Sequence, residues 1–228
     1  MSILIDSRMP VAAKEKLQEY GHIIEFSSEG ITYDAISGHP DIFFCPTPTG
    51  LVVAPNLPEK YFHILKKHSI NYSIGKNPVG KAYPDSARYN SLVTNNLFVH
   101  NPTISDSAIQ AANTTQQSIK VMQGYVRCNL LALPNNSFIT SDKGIEKALK
   151  QHKFEVLFAD STCVKLPGFE HGFFGGICGL KGTVLFICGS LEYFKERENI
   201  RAFIEKSNIV IVELFDGQPV DVGTILFL

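Results

Sequence analysis

A histidine and a cysteine stand seven residues apart in the stretch His171-Gly-Phe-Phe-Gly-Gly-Ile-Cys178-Gly. A thiolate is a strong nucleophile, and an imidazole can take its proton near neutral pH. The clustered glycines let backbone approach closely or adopt positive φ, as the mouth of a site requires. Cys178 and His171 are therefore the candidate catalytic pair. A second reading stays open beside this one: His171 satisfies a loop carbonyl, and Cys178 is a small buried filler, as free cysteines commonly are.

Three further polar clusters precede apolar runs: His39-Pro-Asp41, Arg88-Tyr-Asn90 and Tyr125-Val-Arg127-Cys-Asn129. His39, Asp41, Arg88, Asn90, Arg127 and Asn129 are the candidate ligand-binding residues. Asp41 suits a cationic group, and the two arginines suit a carboxylate or phosphate. Together they fit an amino acid-like ligand. The alternative for the arginines is pairing with a neighbouring acid, Arg88 with Asp85. Cys45 and Cys188 lie in apolar runs and are expected in the core, while Cys163 has no adjacent base. The histidines show neither HxH nor HxxxH spacing, and the cysteines no CxxC spacing, so no metal site is expected. No phosphate-cradling glycine pattern is present and no cofactor is implied.

What positions these clusters is an internal repeat. Asp41-Ile-Phe-Phe-Cys45 reads as a strand, residues 46–50 as a turn and Leu51-Val-Val-Ala54 as a second strand. A helix follows behind Pro58, and Asn71-Tyr-Ser-Ile74 is a third strand. The order strand, turn, strand, helix, strand returns from residue 90, with its hairpin turn at Asn95-Asn96 and a helix over 105–117 capped by Ser105. It returns from residue 129, with a helix over 143–152 capped by Ser141 or Asp142, and from residue 178, with a helix over 191–206. The unit starts at Asp41, Asn90, Asn129 and Cys178 are 49, 39 and 49 residues apart. The first segment, strand 2–5, helix 10–20 and strand 22–26, lacks an opening strand. The tail 222–228 is a strand with no helix after it. Pairing the two completes a fifth unit and closes a ring without open edges. An open doubly wound sheet would need a crossover helix after nearly every strand, where hairpins recur here.

A ring of five such units, closed by the last strand beside the first, resembles the pentein superfamily. The expectation is one domain over residues 1–228, a five-bladed α/β propeller around a central pore. Pro40-Asp41-Ile-Phe-Phe-Cys45 resembles the second-blade strand that carries substrate-binding acids in the guanidino-modifying enzymes of that superfamily. Ala87-Arg88-Tyr89-Asn90-Ser-Leu92 sits where those enzymes carry Gly-Gly-Asp, with Asn90 in place of the acid. The resemblance implies a cysteine nucleophile on the last strand and a histidine at the fourth-blade entrance. Here Asp216-Gly-Gln-Pro-Val-Asp-Val-Gly-Thr224 has no cysteine, and Gln123-Gly-Tyr-Val-Arg-Cys128 has no histidine.

The remaining composition narrows the classes of function. With 21 basic and 22 acidic residues, the chain lacks the basic excess of a nucleic-acid binder. No apolar run approaches ~20 residues, so no membrane span is expected. The first strand runs directly into Asp6, Arg8 and Pro10, unlike a signal peptide, and a cytoplasmic location is the expectation. Two functions follow. One is a hydrolase or transferase on an amino acid-like or guanidino compound in the pore. The other is a non-catalytic module, either a ligand sensor or a protein-binding propeller resembling translation initiation factor 6.

Overall fold

A computed structural model describes residues 1–228. The first unit opens with β1 (Ser2–Asp6), α1 (Val11–Gln18) and β2 (His22–Phe26). The second contains β3 (Phe44–Thr47), β4 (Gly50–Val53), α2 (Glu59–Lys67) and β5 (Tyr72–Ile74). The third contains β6 (Leu92–Val93), β7 (Leu97–His100), α3 (Ser107–Ala112) and β8 (Gln117–Lys120). The fourth begins with the single turn α4 (Val126–Asn129), then β9 (Leu130–Leu133), β10 (Ser137–Thr140), α5 (Lys143–Gln151) and β11 (Glu155–Phe158). The fifth contains β12 (Cys178–Lys181), β13 (Val184–Ile187), α6 (Arg197–Glu205) and β14 (Val210–Glu213). The chain ends in β15 (Leu226–Phe227).

These strands form five three-stranded sheets. In four of them the first two strands pair antiparallel as a hairpin, and in the other β15 takes the first strand's place beside β1. The third lies parallel to the second, which demands the helical crossover between them. The middle strands β1, β7 and β10 are buried along their whole length. Helices α2, α5 and α6 each bury a pair four residues apart: Tyr61 and Leu65, Ile145 and Leu149, Ile200 and Ile204. That spacing lays one apolar stripe on the sheet. No helix is long and apolar enough to cross a membrane.

The tail does join the first unit. β15 pairs antiparallel with β1, with Ile3 opposite Phe227 and Leu4 opposite Leu226. The backbones of Ser2 and Leu228 exchange hydrogen bonds of 3.2 and 2.8 Å. Only two residues of the expected strand 222–228 are extended in the ladder. The segment before them turns at Gly223 and Thr224, both at positive φ, to reach the centre of the ring.

Other boundaries also move. The helix expected over 105–117 is Ser107–Ala112. Asp106, not Ser105, caps it by accepting from the Ala108 N–H, and Asn113 folds its amide back to the Ile109 carbonyl. The helix expected over 191–206 splits into a 3-10 turn, Leu191–Tyr193, and α6, because Ser190 starts a short turn of its own by accepting from the Glu192 N–H. Asp142 is the cap of α5, accepting from the Ile145 N–H at 2.8 Å. The strand read from Asp41 begins later, at Phe44, after the 3-10 turn Pro40–Ile42. Tight turns also precede β6 and β12, at Asp85–Ala87 and Gly175–Ile177, and α4 precedes β9. A turn fans side chains around its axis instead of alternating them between two sheet faces. It can therefore hold a polar side chain toward the centre just before an apolar strand begins.

The apolar core is divided into three clusters that flank the centre. One polar group within this packing makes the fold sensitive to acid. His100 is buried, stacks on Phe98 and meets the Ser118 hydroxyl at 3.0 Å. Burial, with a smaller push from Lys120, lowers its pKa to about 4. The folded state thus resists a proton that the unfolded chain accepts near pH ~6.5. His100 contributes stability that is complete above that pH and is lost as pH falls toward about 4. His100→Gln is expected to flatten the pH dependence of urea unfolding between about pH 6.5 and 4, by on the order of 1 kcal/mol after solvent screening. An unchanged slope across that window would remove His100 from the acid response.

Candidate functional site: a buried polar centre

The turns that precede the hairpins converge on the axis of the ring. Asp41 is fully buried there. Its Oδ2 accepts the Thr224 hydroxyl at 2.7 Å and the Cys128 thiol at 3.0 Å. Asn90 lies across the top of this pair. It donates Nδ2–H to the Asp41 carbonyl and to Cys128 Sγ, and its Oδ1 accepts the Cys128 N–H. Backbone bonds run alongside: the Asp41 N–H to the Gly223 carbonyl, the Arg127 N–H to the Asn90 carbonyl and the Thr224 N–H to the Gly176 carbonyl. The second, third, fourth and fifth units and the tail are thus joined in sequence. Gly175 packs directly on the Arg127 and Cys128 carbonyls, where a Cβ would collide with backbone.

Three side chains that meet here carry buried polar atoms without a hydrogen bond: Asp41 Oδ1, Arg127 Nε and both ring nitrogens of His39. Arg127 makes no ion pair. Burial lowers its pKa, an effect opposed chiefly by the field of Asp41. An unpartnered buried polar atom costs about 1–3 kcal/mol, more when charged, and native proteins keep few of them.

Behind Asp41 lies a second polar row. His39 is 1% exposed, with Nε2 3.8 Å from Asp6 Oδ2 and Nδ1 3.8 Å from Asp221 Oδ1. Asp6 is held by the Arg8 backbone and guanidinium. Asp221 accepts the N–H groups of Phe173 and Gly223, and burial raises its pKa against the opposing field of His39. The row ties the first strand, the second-unit turn and the tail together. Over this end of the axis, the Tyr125 hydroxyl bonds Ser86 at 2.6 Å and Tyr33 at 3.1 Å.

The residues singled out from sequence divide into two groups. Asp41, His39, Asn90 and Arg127 meet at the centre. Asn129 stands beside it, donating to the Tyr125 carbonyl and accepting from Ser141. Arg88 pairs with Asp85 through one terminal nitrogen, away from the Asp41 cluster, while its Nε is buried without a partner. Cys178 is 1% exposed and donates its thiol to the Phe174 carbonyl, and burial raises its pKa strongly. His171 lies in the half-buried loop, where Nδ1 donates to the Gly172 carbonyl at 2.9 Å and approaches Ser161 at 3.5 Å. No hydrogen bond links His171 to Cys178.

Sequence reasoning passed over Cys128, Thr224, Asp6 and Asp221. Cys128 is the one thiol bonded to a carboxylate. Its pKa is driven well above the usual thiol value by burial and then by Asp41, so it carries its proton. A signal was present: Cys128 is one residue from Asn129, the start read for the fourth unit. Thr224 and Asp221 lie in the stretch where the resemblance leads one to look for a cysteine.

Five strand–strand–helix–strand sheets set around a polar axis define the pentein fold. Solved structures agree. An agmatine deiminase from C. jejuni matches with a TM-score of 0.55 at 10% identity, covering 93% of this chain and 86% of that one. DDAH from Pseudomonas aeruginosa, a Cys-to-Ser mutant complexed with citrulline, matches at 0.52 and 6% identity, covering 93% and 92%. SxtG, an amidinotransferase from Microseira wollei in the saxitoxin biosynthetic pathway, matches at 0.51 and 8%, covering 93% and 87%. None of the curated proteins matches the sequence. Within the fold, residues 4–226 match the model of DUF6873, a family of unknown function, and the chain belongs to that family.

Proposed function

We propose that the centre of the ring binds a small amino acid-like or guanidino compound, with its cationic end on Asp41 and its carboxylate on Arg127. The observation that carries this reading is the pair of buried, opposite, unpartnered groups, Asp41 Oδ1 and Arg127 Nε. They lie close enough for their fields to interact, yet form no ion pair with each other. A zwitterion between them would satisfy both. Arg88, already paired with Asp85, is not needed. The folds of DDAH, agmatine deiminase and the amidinotransferase lend support as analogy, which does not by itself fix chemistry.

If the bound compound is turned over by a hydrolase or transferase reaction, Cys128 is the thiol with a proton acceptor in reach, through Asp41. Cys178 and His171 would need to move together to serve. A non-catalytic sensor is the second reading, favoured by one observation. Burial holds the thiols of Cys45, Cys128 and Cys178 protonated, with Cys45 pushed up to about 12.

The test is a thermal-shift and calorimetric panel of amino acids and guanidino compounds. A ligand at a hundred times its Kd should raise Tm by about 5–10 °C for a chain of this size. Asp41→Asn should abolish that shift. A panel in which no compound stabilises the protein, or an Asp41→Asn variant that responds like wild type, rejects the proposal. Mass spectrometry of incubated mixtures then separates an enzyme, with product or a Cys128 adduct, from a sensor, with neither.

A further inference from the structure

On the strand side of the centre, the axis widens into a cavity of about 170 Å³. Its floor is Gly175, Cys178 and Thr224, all buried. Its rim is Val93, Thr94, Ala132 and Leu180, all partly exposed. Leu92, Leu130 and Leu131 complete apolar walls. Arg127 lines the cavity and supplies its charge, with Nε buried and without a partner. Asp41 is not among the lining residues.

We infer that this cavity is a binding site for a short unbranched alkanoate, entering tail outward with its carboxylate on Arg127. Three features select that class. The cavity has one cationic side chain and no carboxylate in its lining, so an amine would meet the guanidinium's repulsion first. The walls above Arg127 are aliphatic apart from Thr94, whose hydroxyl oxygen already accepts the Leu97 N–H, so a second polar group finds little to bind, which disfavours inorganic phosphate and hydroxy acids. The volume is well below the ~300 Å³ of ordinary ligand pockets. At about 30 Å³ for each water-sized group, it admits a carboxylate with roughly three or four methylene or methyl groups. A planar carboxylate can accept two parallel N–H groups from a guanidinium, compensating its desolvation. The inference shares Arg127 with the zwitterion reading but does not use Asp41.

The test is calorimetric titration of the full chain with formate, acetate, propionate, butanoate, pentanoate and hexanoate, alongside butylamine, inorganic phosphate and free amino acids. Affinity should rise about threefold to fourfold per carbon to butanoate or pentanoate, then fall at hexanoate. Arg127→Gln should weaken butanoate at least about tenfold. Ala132→Leu narrows the rim without touching Arg127 and covers the case in which Arg127→Gln fails to fold. It should weaken pentanoate severalfold and leave formate unchanged.

No saturable binding of any acid at about 50 mM overturns the inference. So does an affinity independent of chain length, butylamine binding as well as butanoate, or phosphate binding in place of the acids. Butanoate bound with every amino acid and guanidino compound rejected would sink the zwitterion reading and leave this one standing. The reverse pattern, with amino acids or guanidino compounds bound and every alkanoate rejected, would sink this one.

Discussion

Leu226→Asp is expected to leave the chain without a cooperative melting transition, or to lower Tm by about 10–20 °C. Leu226 is 1% exposed and sits opposite Leu4 in the two-residue ladder that joins tail to first strand. An uncompensated buried carboxylate costs about 3–5 kcal/mol, and losing the leucine side chain costs about 2 kcal/mol or more. Their sum is comparable to the whole stability of an ordinary domain, ~5–15 kcal/mol. Leu226→Met keeps volume and polarity and should stay within about 1.5 kcal/mol of wild type. Circular dichroism melts of the two variants check the pair. A Leu226→Asp protein that melts cooperatively near the wild-type temperature would mean that the seam carries little of the fold's stability.

A second large effect is expected at Gly223, with Gly182 as its control. Both have positive φ, 62° and 59°. Alanine at Gly182 would meet no atom within 4 Å, so only left-handed strain is added, about 1 kcal/mol. Alanine at Gly223 would drive its methyl into the Cα, Cβ and Cγ of His39. Those atoms include the backbone of His39, a residue only 1% exposed, and have no open space to move into. Gly223→Ala should therefore cost about 3–4 kcal/mol in urea unfolding, against about 1 kcal/mol for Gly182→Ala. Equal costs would show that the tail does not press on the second-unit turn as closely as described.

The repeat was legible because each unit carries its own local signals. Hairpin turns at Asn95-Asn96 and Lys181-Gly182, the i, i+4 stripes of α2, α5 and α6, and the apolar tail all speak through neighbouring residues. The shortening of α3 was less legible, since Ser105 and Asp106 are both good caps and only the Asp106 bonds to Lys76 and Asn77 decide between them. At the centre, Asp41 and Asn90 could be picked out because polar residues immediately before apolar runs are conspicuous. Cys128 and Thr224 could not. A cysteine and a threonine are unremarkable in strand-like sequence, and their roles depend on bonds to Asp41 spanning 87 and 183 residues. The pairing of His171 with Cys178 rested on proximity in the chain. The intervening tight turn, Gly175–Ile177, sends Cys178 into packing beneath Phe174 while His171 stays in the loop.

The seam between β1 and β15 also sets an order of assembly. Four of the five sheets draw all their strands from one contiguous stretch, and each can form soon after it leaves the ribosome. The remaining sheet holds β1 and β2, made early, but must wait for residues 226–227. Until then the left edge of β1 has no neighbour, and Asp41 lacks the hydroxyl that will bond it. Pairings between such distant segments carry the largest chain-closure penalty and are the slowest to form. The polar centre is therefore the last region to leave water, and the growing chain carries an open β-edge from the emergence of β1 until that of residues 226–227.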